Sequence, residues 1–396
     1  MMEERDENIL MTQEDLARRK RRTIIDDDSS IKKLDEKEDG ELKKQKEKIY
    51  NRGGKVHIQY ESNGRFSIKP ILYFNDFTIE DVNNLTLSKQ DEILNNLVSI
   101  LNKIKNEDAE TDVSEMLPEE FLETLVGIKQ EFNTPMHTHY WICDCQNNVE
   151  SNQQKINEVE IDLRTLNYVS IEQADETFRQ HYKEKVFDTM TPEEFKEYIK
   201  TKYVNNEIDI NKWTVEDELK TIQIKEPYKM IFNNDEYTFR FMRIKDILKA
   251  QSIVDKKYGS KIKMIRMKKY PNIPLSESKI MQEKEIEDIQ YQQLKDLSLY
   301  ARALSLIEKN GKILNHEESL SIYKNLPRSI LFDLINFSDS MLFGIKEEKE
   351  LVCPLCGETT VRSLHREFSP YELLPIDTIT KRKQGQHSRP NIFFRI

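Results

Sequence analysis

Four cysteines, in two close pairs, constrain this chain more than any other feature. One pair is in Trp141-Ile142-Cys143-Asp144-Cys145, the other in Leu351-Val352-Cys353-Pro354-Leu355-Cys356-Gly357. Apolar, β-favouring residues lead into each. The second has the form of a knuckle, a tight turn in which Cys-x-x-Cys-Gly points two thiolates at one cation. The first is a shorter Cys-x-Cys variant. Four thiolates match the ligand count of a tetrahedral structural zinc. In an ordinary zinc ribbon both pairs lie in one short unit, whereas here 207 residues lie between Cys145 and Cys353. A single zinc on Cys143, Cys145, Cys353 and Cys356 therefore requires two distant parts of the chain to face each other.

Two other arrangements fit the same residues. Each pair could recruit histidine locally, with His137 and His139 before the first and His365 after the second. Of these, His137 and His139 read as surface positions of a strand. Alternatively, the turns could hold inert thiols and no metal. Disulfides are the weaker reading, because the acidic start of the chain, Met1 to Leu10, lacks the basic-then-apolar layout of a secretory signal and the thiols are expected to stay reduced.

The segments around the two pairs follow one plan. Val56, Ile58 and Tyr60 alternate with polar residues, Asn63-Gly64 signals a hairpin turn, and strand character is expected through Phe66 and Ile68 to Phe74. Thr78 to Asp81 opens a helix with a capping residue. Leu94, Leu97, Val98, Leu101 and Ile104 share one helical face. Leu117-Pro118-Glu119-Glu120 begins another helix, and a strand then runs into Cys143. The same order begins again at Tyr228: a hairpin turning at Asn233-Asn234, a helix from Ile244, a long helix over about Glu285 to Glu308, a Leu326-Pro327 helix, and a strand into Cys353. Pro118 precedes Cys143 by 25 residues and Pro327 precedes Cys353 by 26. This predicts an α+β fold of two tandem repeats, each a β-hairpin plus helices followed by a zinc-ribbon-like cysteine hairpin.

Composition sets the limits. Charged residues make up 33% and hydrophobic residues 37% of the chain, so cores separated by solvated stretches are expected. Residues 1–52 read as a disordered charged arm, residues 53–170 as the first repeat and 171–222 as a helical connector. Residues 223–380 read as the second repeat, and 381–396 as a basic, aromatic tail. The second repeat carries an insertion at 256–283. Its first part holds Lys256, Lys257, Lys261, Lys263, Arg266, Lys268 and Lys269 with no acid among them, and is expected to be a solvated, mobile loop. The net charge of -10 argues against a general nucleic-acid coat, and no apolar run is long enough to span a membrane. No phosphate loop, nucleophile elbow or His-Glu-x-x-His helix is present, so the chain reads as non-enzymatic.

The pattern resembles the baseplate hub and hub assembly protein family of T-even-type contractile-tailed bacteriophages. The likeness rests on Tyr228 to Phe241, on Leu326 to Ile345, and on Leu351-Val352-Cys353-Pro354-Leu355-Cys356-Gly357 with its following polar strand. Val56 to Phe74, Leu117 to Phe132 and Cys143 to Cys145 resemble the same unit more loosely. The duplication, the Cys-x-Cys step, the arm and the basic insertion depart from it. The resemblance implies a structural or assembly role in the tail baseplate, with other phage baseplate and tail proteins as partners in an oligomeric assembly. Its location would be the virion tail, and the host cytoplasm during assembly. The competing reading is a zinc-ribbon nucleic-acid-binding regulator; an enzyme accessory subunit is a third.

Overall fold

The computed structural model describes residues 55–66, 68–88, 92–105, 110–132, 134–143, 156–203, 209–232, 235–268, 270, 274–332, 334, 342–363 and 373. They form an α+β fold. The N-terminal arm, Cys145, His365 and the tail from 381 lie outside the described residues.

The first strands, β1 (Lys55–Gln59) and β2 (Ile71–Asn75), pair antiparallel from Lys55 opposite Asn75 to Gln59 opposite Ile71. Val56, Ile58, Leu72 and Phe74 point into the core. Asn63 and Gly64 take the positive φ angles of a primed turn, 50° and 70°. The hairpin is looser than the sequence suggests, however, because β2 starts only at Ile71. Phe66 and Ile68 belong to the connecting loop rather than to a strand. Phe66 leaves the hairpin to stack on Phe343 and meet Phe241 edge-on. Those aromatic contacts with distant segments outweigh two more rungs of ladder.

Helix α1 (Ile79–Leu87) opens with a complete capping box between Thr78 and Asp81. Helix α2 (Ile93–Ile104) buries Leu94, Leu97, Val98, Leu101 and Ile104, the stripe its periodicity predicts. Helix α3 (Pro118–Phe132) starts at the Leu-Pro step and lies against β1; a Cβ on its Gly127 would come within 3.0 Å of the Ile58 side chain. Strands β3 (Met136–Ile142) and β4 (Ile156–Asp162) then form a second antiparallel pair, His139 opposite Val159 and Trp141 opposite Asn157.

The connector holds the short strand β5 (Tyr168–Val169), then α4 (Ile171–Lys185), α5 (Pro192–Lys202) and α6 (Val215–Thr221). All three helices begin with capping boxes, at Ser170, Thr191 and Thr214. Fully buried Glu218 takes hydrogen bonds from Tyr203 Oη at 2.9 Å and Trp213 Nε1 at 3.1 Å, and pairs with Lys202. That satisfied carboxylate organises the polar module.

Strands β6 (Tyr228–Phe232) and β7 (Asp235–Phe239) pair antiparallel, Phe232 opposite Asp235; the expected turn residues Asn233 and Asn234 lie outside the described residues. Helix α7 (Ile244–Met267) and helix α8 (Leu275–Ala303) follow as an antiparallel pair. The basic insertion is thus not a loop: it forms the far end of this helical hairpin. Helix α8 begins ten residues earlier than the sequence suggests and stops at Ala303, where Leu306 enters strand β8 (Leu306–Lys309). Strand β9 (Lys312–Ile313) turns back through Asn310-Gly311, giving the sheet order β6-β7-β8-β9. Helix α9 (His316–Lys324) packs beside it, and residues 328–332 are helical after the second Leu-Pro step. Strand β10 (Gly344–Ile345) pairs with β5, and β11 (Glu348–Val352) with β12 (Thr359–Ser363).

From β6 onward the order is the β6–β7 hairpin, α7, α8, β8, β9, α9, the helical residues 328–332, β10 and the β11–β12 pair. The main core draws on both parts of the chain. Val56, Leu97 and Phe121 share it with Ile247, Val254, Leu297 and Tyr300.

Candidate metal centre

The described elements carry three of the four cysteines to one place. Cys143 follows the end of β3, Cys353 follows the end of β11, and Cys356 lies on the turn between β11 and β12. Their sulfurs all lie within 4.8 Å of one another, and the Cys143 and Cys356 sulfurs are 3.9 Å apart. Cys143 and Cys353 are buried, while Cys356 is exposed. None of the three is joined in a disulfide. The fourth predicted ligand, Cys145, lies outside the described residues.

Local sequence explains the aim of each sulfur. On β3, period two puts His137, His139 and Trp141 on one buried face, with Cys143 next in line. On β11 the same period places Leu351 and then Cys353 inward, while Val352 faces solvent. The knuckle closes with Cys353 N–H donating to Glu358 O at 2.9 Å and Gly357 N–H donating to Cys353 O at 2.8 Å. Gly357 has φ +73° and an ideal Cβ there would meet nothing within 4 Å. Backbone conformation, not crowding, calls for glycine at that position.

The two hairpins meet through a small apolar contact of Trp141, Cys143, Leu351 and Cys353, with Val159 against it. The Arg362 guanidinium lies over the Trp141 ring at 5.3 Å. Neither Trp141 nor Arg362 was singled out from the sequence as part of the site. Trp141 could have been, since it stands two residues before Cys143 and so shares its face; Arg362 carries no such signal.

The electrostatics favour a thiolate. Burial works against ionisation of Cys353. The backbone N–H groups of Cys356 and Leu355 and the neighbouring thiols of Cys143 and Cys356 outweigh it, and its pKa falls to about 7. Leu355 N–H stands 3.4 Å from the Cys353 sulfur.

The donor set suits a soft divalent cation. Zinc–sulfur bonds of about 2.3 Å in a tetrahedron place the sulfurs about 3.8 Å apart. The 3.9 Å between Cys143 and Cys356 agrees with that figure. Among the described residues this is the one group of metal-binding side chains brought together, and it contains no histidine.

The histidines correct an expectation. His137 and His139 are not surface residues; each is 2% exposed. They sit further back along β3, and His137 Nδ1 is 3.4 Å from Lys129 Nζ of α3. Burial, with Lys129 and His139 adding to it, lowers the His137 pKa to about 3. A neutral imidazole in that place is part of the packing under α3.

No family model, curated protein or solved structure matches the chain.

Proposed function

We propose that this chain is a structural or assembly component of a contractile phage tail baseplate, a hub protein, working by binding its neighbours rather than by catalysis. In this reading the two halves descend from one duplicated unit. A zinc ion held by Cys143, Cys353 and Cys356, with Cys145 as fourth ligand, staples them. The observation that carries the reading is the convergence of Cys143 with Cys353 and Cys356, from hairpins more than two hundred positions apart in sequence. Chance gives no reason for two short cysteine steps to share one contact. A zinc closed by four thiolates adds rigidity and leaves no coordination position for a substrate. The recurring element order and the resemblance of the Cys353 half to hub proteins support the assignment to a baseplate.

The metal is tested by elemental analysis of the purified chain. One equivalent of zinc is expected, and Cys143→Ser and Cys353→Ser should each lose it. Zinc retained at full stoichiometry in Cys143→Ser would rule out a shared site. The placement is tested by mass spectrometry of intact virions and by co-purification from infected cells. Association with tail or baseplate proteins is expected. The rival reading, a nucleic-acid-binding regulator, draws on the exposed cations of α7. It predicts DNA or RNA binding that weakens steeply with salt.

A further inference from the structure

The far end of the α7–α8 hairpin stands apart from the rest of the surface. Helix α7 is 24 residues long, about 36 Å at 1.5 Å per residue. Its buried residues, Ile244, Asp246, Ile247, Ala250, Val254 and Tyr258, all fall in the first fifteen positions. None of residues 259–267 is buried. Beyond Tyr258 the chain is held to α8: Lys268 reaches Glu285 at 2.6 Å, and Gln282 donates to Lys268 O at 2.7 Å.

Two properties coincide there. Met264 and Met267 are 68% and 72% exposed, and on α8 Ile280 is 63% exposed. Single exposed apolar residues are ordinary, but several long flexible ones on one projection are the material of a binding surface. The same stretch of α7 is basic. Lys257 and Lys268 are neutralised by Asp296 and Glu285. Among the described residues Lys256, Lys261, Lys263 and Arg266 make no salt bridge, and Lys261 lies over the Tyr258 ring at 5.3 Å. The occupant these features fit is acidic, with long apolar side chains.

The chain itself contains such a segment. Residues 1–16 hold six acids, Glu3, Glu4, Asp6, Glu7, Glu14 and Asp15, against one base, Arg5. Met1, Met2, Ile9, Leu10, Met11 and Leu16 lie among them. Between that segment and β1 lie the 38 residues 17–54; any flexible chain of that length has an end-to-end distance of about 35 Å, comparable to the length of α7. We propose that the outer face of α7 from Lys256 to Lys268 is a docking surface for residues 1–16 of this polypeptide. The methionines receive the apolar side chains, and these cations receive the carboxylates. Taken up in cis, the segment covers the surface; taken up from a second copy, it links two protomers. The inference is independent of the metal and of the baseplate assignment.

The test uses the full chain. A zero-length carbodiimide joins carboxylates to amines in contact, and mass spectrometry maps the products. Cross-links from Glu3 to Asp15 onto Lys256, Lys261 and Lys263 are expected to exceed those onto exposed Lys212, Lys220 and Lys312 by about tenfold, and to fall as salt screens the attraction. Linkage between isotopically mixed protomers assigns the contact to trans, and its absence to cis. In a second measurement, a fluorescein-labelled peptide of residues 1–16 is titrated into a full chain whose own six acids are replaced by amides. Saturable binding is expected. Adding Lys261→Glu, Lys263→Glu and Arg266→Glu, or Met264→Ser with Met267→Ser, should weaken it at least tenfold. These side chains are exposed, and an unchanged circular dichroism melt confirms that each variant is folded. Uniform cross-linking of all exposed lysines would overturn the proposal, as would peptide binding indifferent to either variant set. So would an oligonucleotide binding at α7 where the peptide does not.

Discussion

The two cysteine hairpins do the same job with different support. The β3–β4 hairpin has seven-residue strands, and its inner face carries His137, His139, Trp141 and Ile161 into the interior under α3. The β11–β12 hairpin has five-residue strands, and Leu351 is its one buried strand residue. Beyond Leu351 its anchorage includes Cys353, the stacking of Arg362 on Trp141 and the sulfur contact, together with the β10–β5 pairing and the Asn167–Glu347 hydrogen bonds just before β11. A strand pair that buries one leucine is marginal alone in water. The comparison teaches where a metal matters most. On the first side it would be one anchor among several; on the second it would supply a larger share of the fixation.

That asymmetry can be broken outright at the shared contact. Trp141→Ala removes the ring on which Leu351 packs and over which Arg362 lies. A loss of about 3–5 kcal/mol is expected, the usual range for deleting a large buried side chain. Chemical denaturation measures it, and both hairpins should lose protection in hydrogen exchange. A loss confined to β11–β12 would mean that β3 does not depend on Trp141.

Removing the metal should sharpen the same contrast. If the chain holds the zinc proposed above, chelating it, or Cys353→Ser, is expected to raise amide exchange in β11–β12 by about a hundredfold, roughly 2.7 kcal/mol of local stability. In β3–β4 the rise should stay under about tenfold. Equal rises in the two hairpins would show that the first is no better anchored than the second.

Acid should act mainly on the β3 side. His137 is held neutral, its pKa lowered to about 3 by burial with Lys129 and His139 adding to it. Its unfolded value is about 6.5. The depressed pKa means that stability is intact above about pH 6.5 and is lost progressively as pH falls towards 3. Glu120 of α3 has the opposite sign: burial raises its pKa to about 7, against the hydrogen bonds of Ser62 and Leu117 and the charge of Arg243. Its contribution is intact below about pH 4.5 and lost as pH rises through 7. His137→Gln should therefore flatten the acid limb of a stability–pH profile. Glu120→Gln should raise stability at pH 8 by up to about 3 kcal/mol, since the rise from 4.5 to about 7 is worth about 1.4 kcal/mol per pKa unit. Profiles that both variants leave unchanged would place the titrating groups elsewhere.

Much of this was legible in the sequence, for identifiable reasons. The capping residue at Thr78 and the stripe of α2 are local signals, and both are found in the structure. The convergence of Cys143 with the second pair could be inferred because cysteine chemistry leaves few alternatives. Three things were not read. Lys256 to Lys269 lacks acids and reads as loop, yet α7 runs on to Met267, with Ile262 and Ile265 half-buried at helical spacing among exposed cations. The β8–β9 turn at Asn310-Gly311, with φ of 49° and 78°, carried a plain hairpin signal hidden behind the pattern of α8. The burial of His137 and His139 depends on α3 lying over β3, a tertiary fact that no alternation of polar residues discloses.

The smallest effects separate the two regions by mechanism. Gly357→Ala places a Cβ in open space but forces alanine to φ +73°. The expected cost is about 1 kcal/mol, backbone strain alone, confined to the knuckle. Gly357→Asn should recover part of it, because asparagine tolerates the left-handed region. Gly127→Ala is the reverse case. Its backbone is helical and would gain from alanine, but the new Cβ would stand 3.0 Å from the Ile58 side chain. There the outcome depends on whether Ile58 can yield, and Ile58→Val in the same chain should relieve any loss. If Gly357→Asn were as damaging as Gly357→Ala, the knuckle would be limited by space rather than by conformation. Its hold on the sulfurs would then resemble the tight packing beneath α3 more than an open turn.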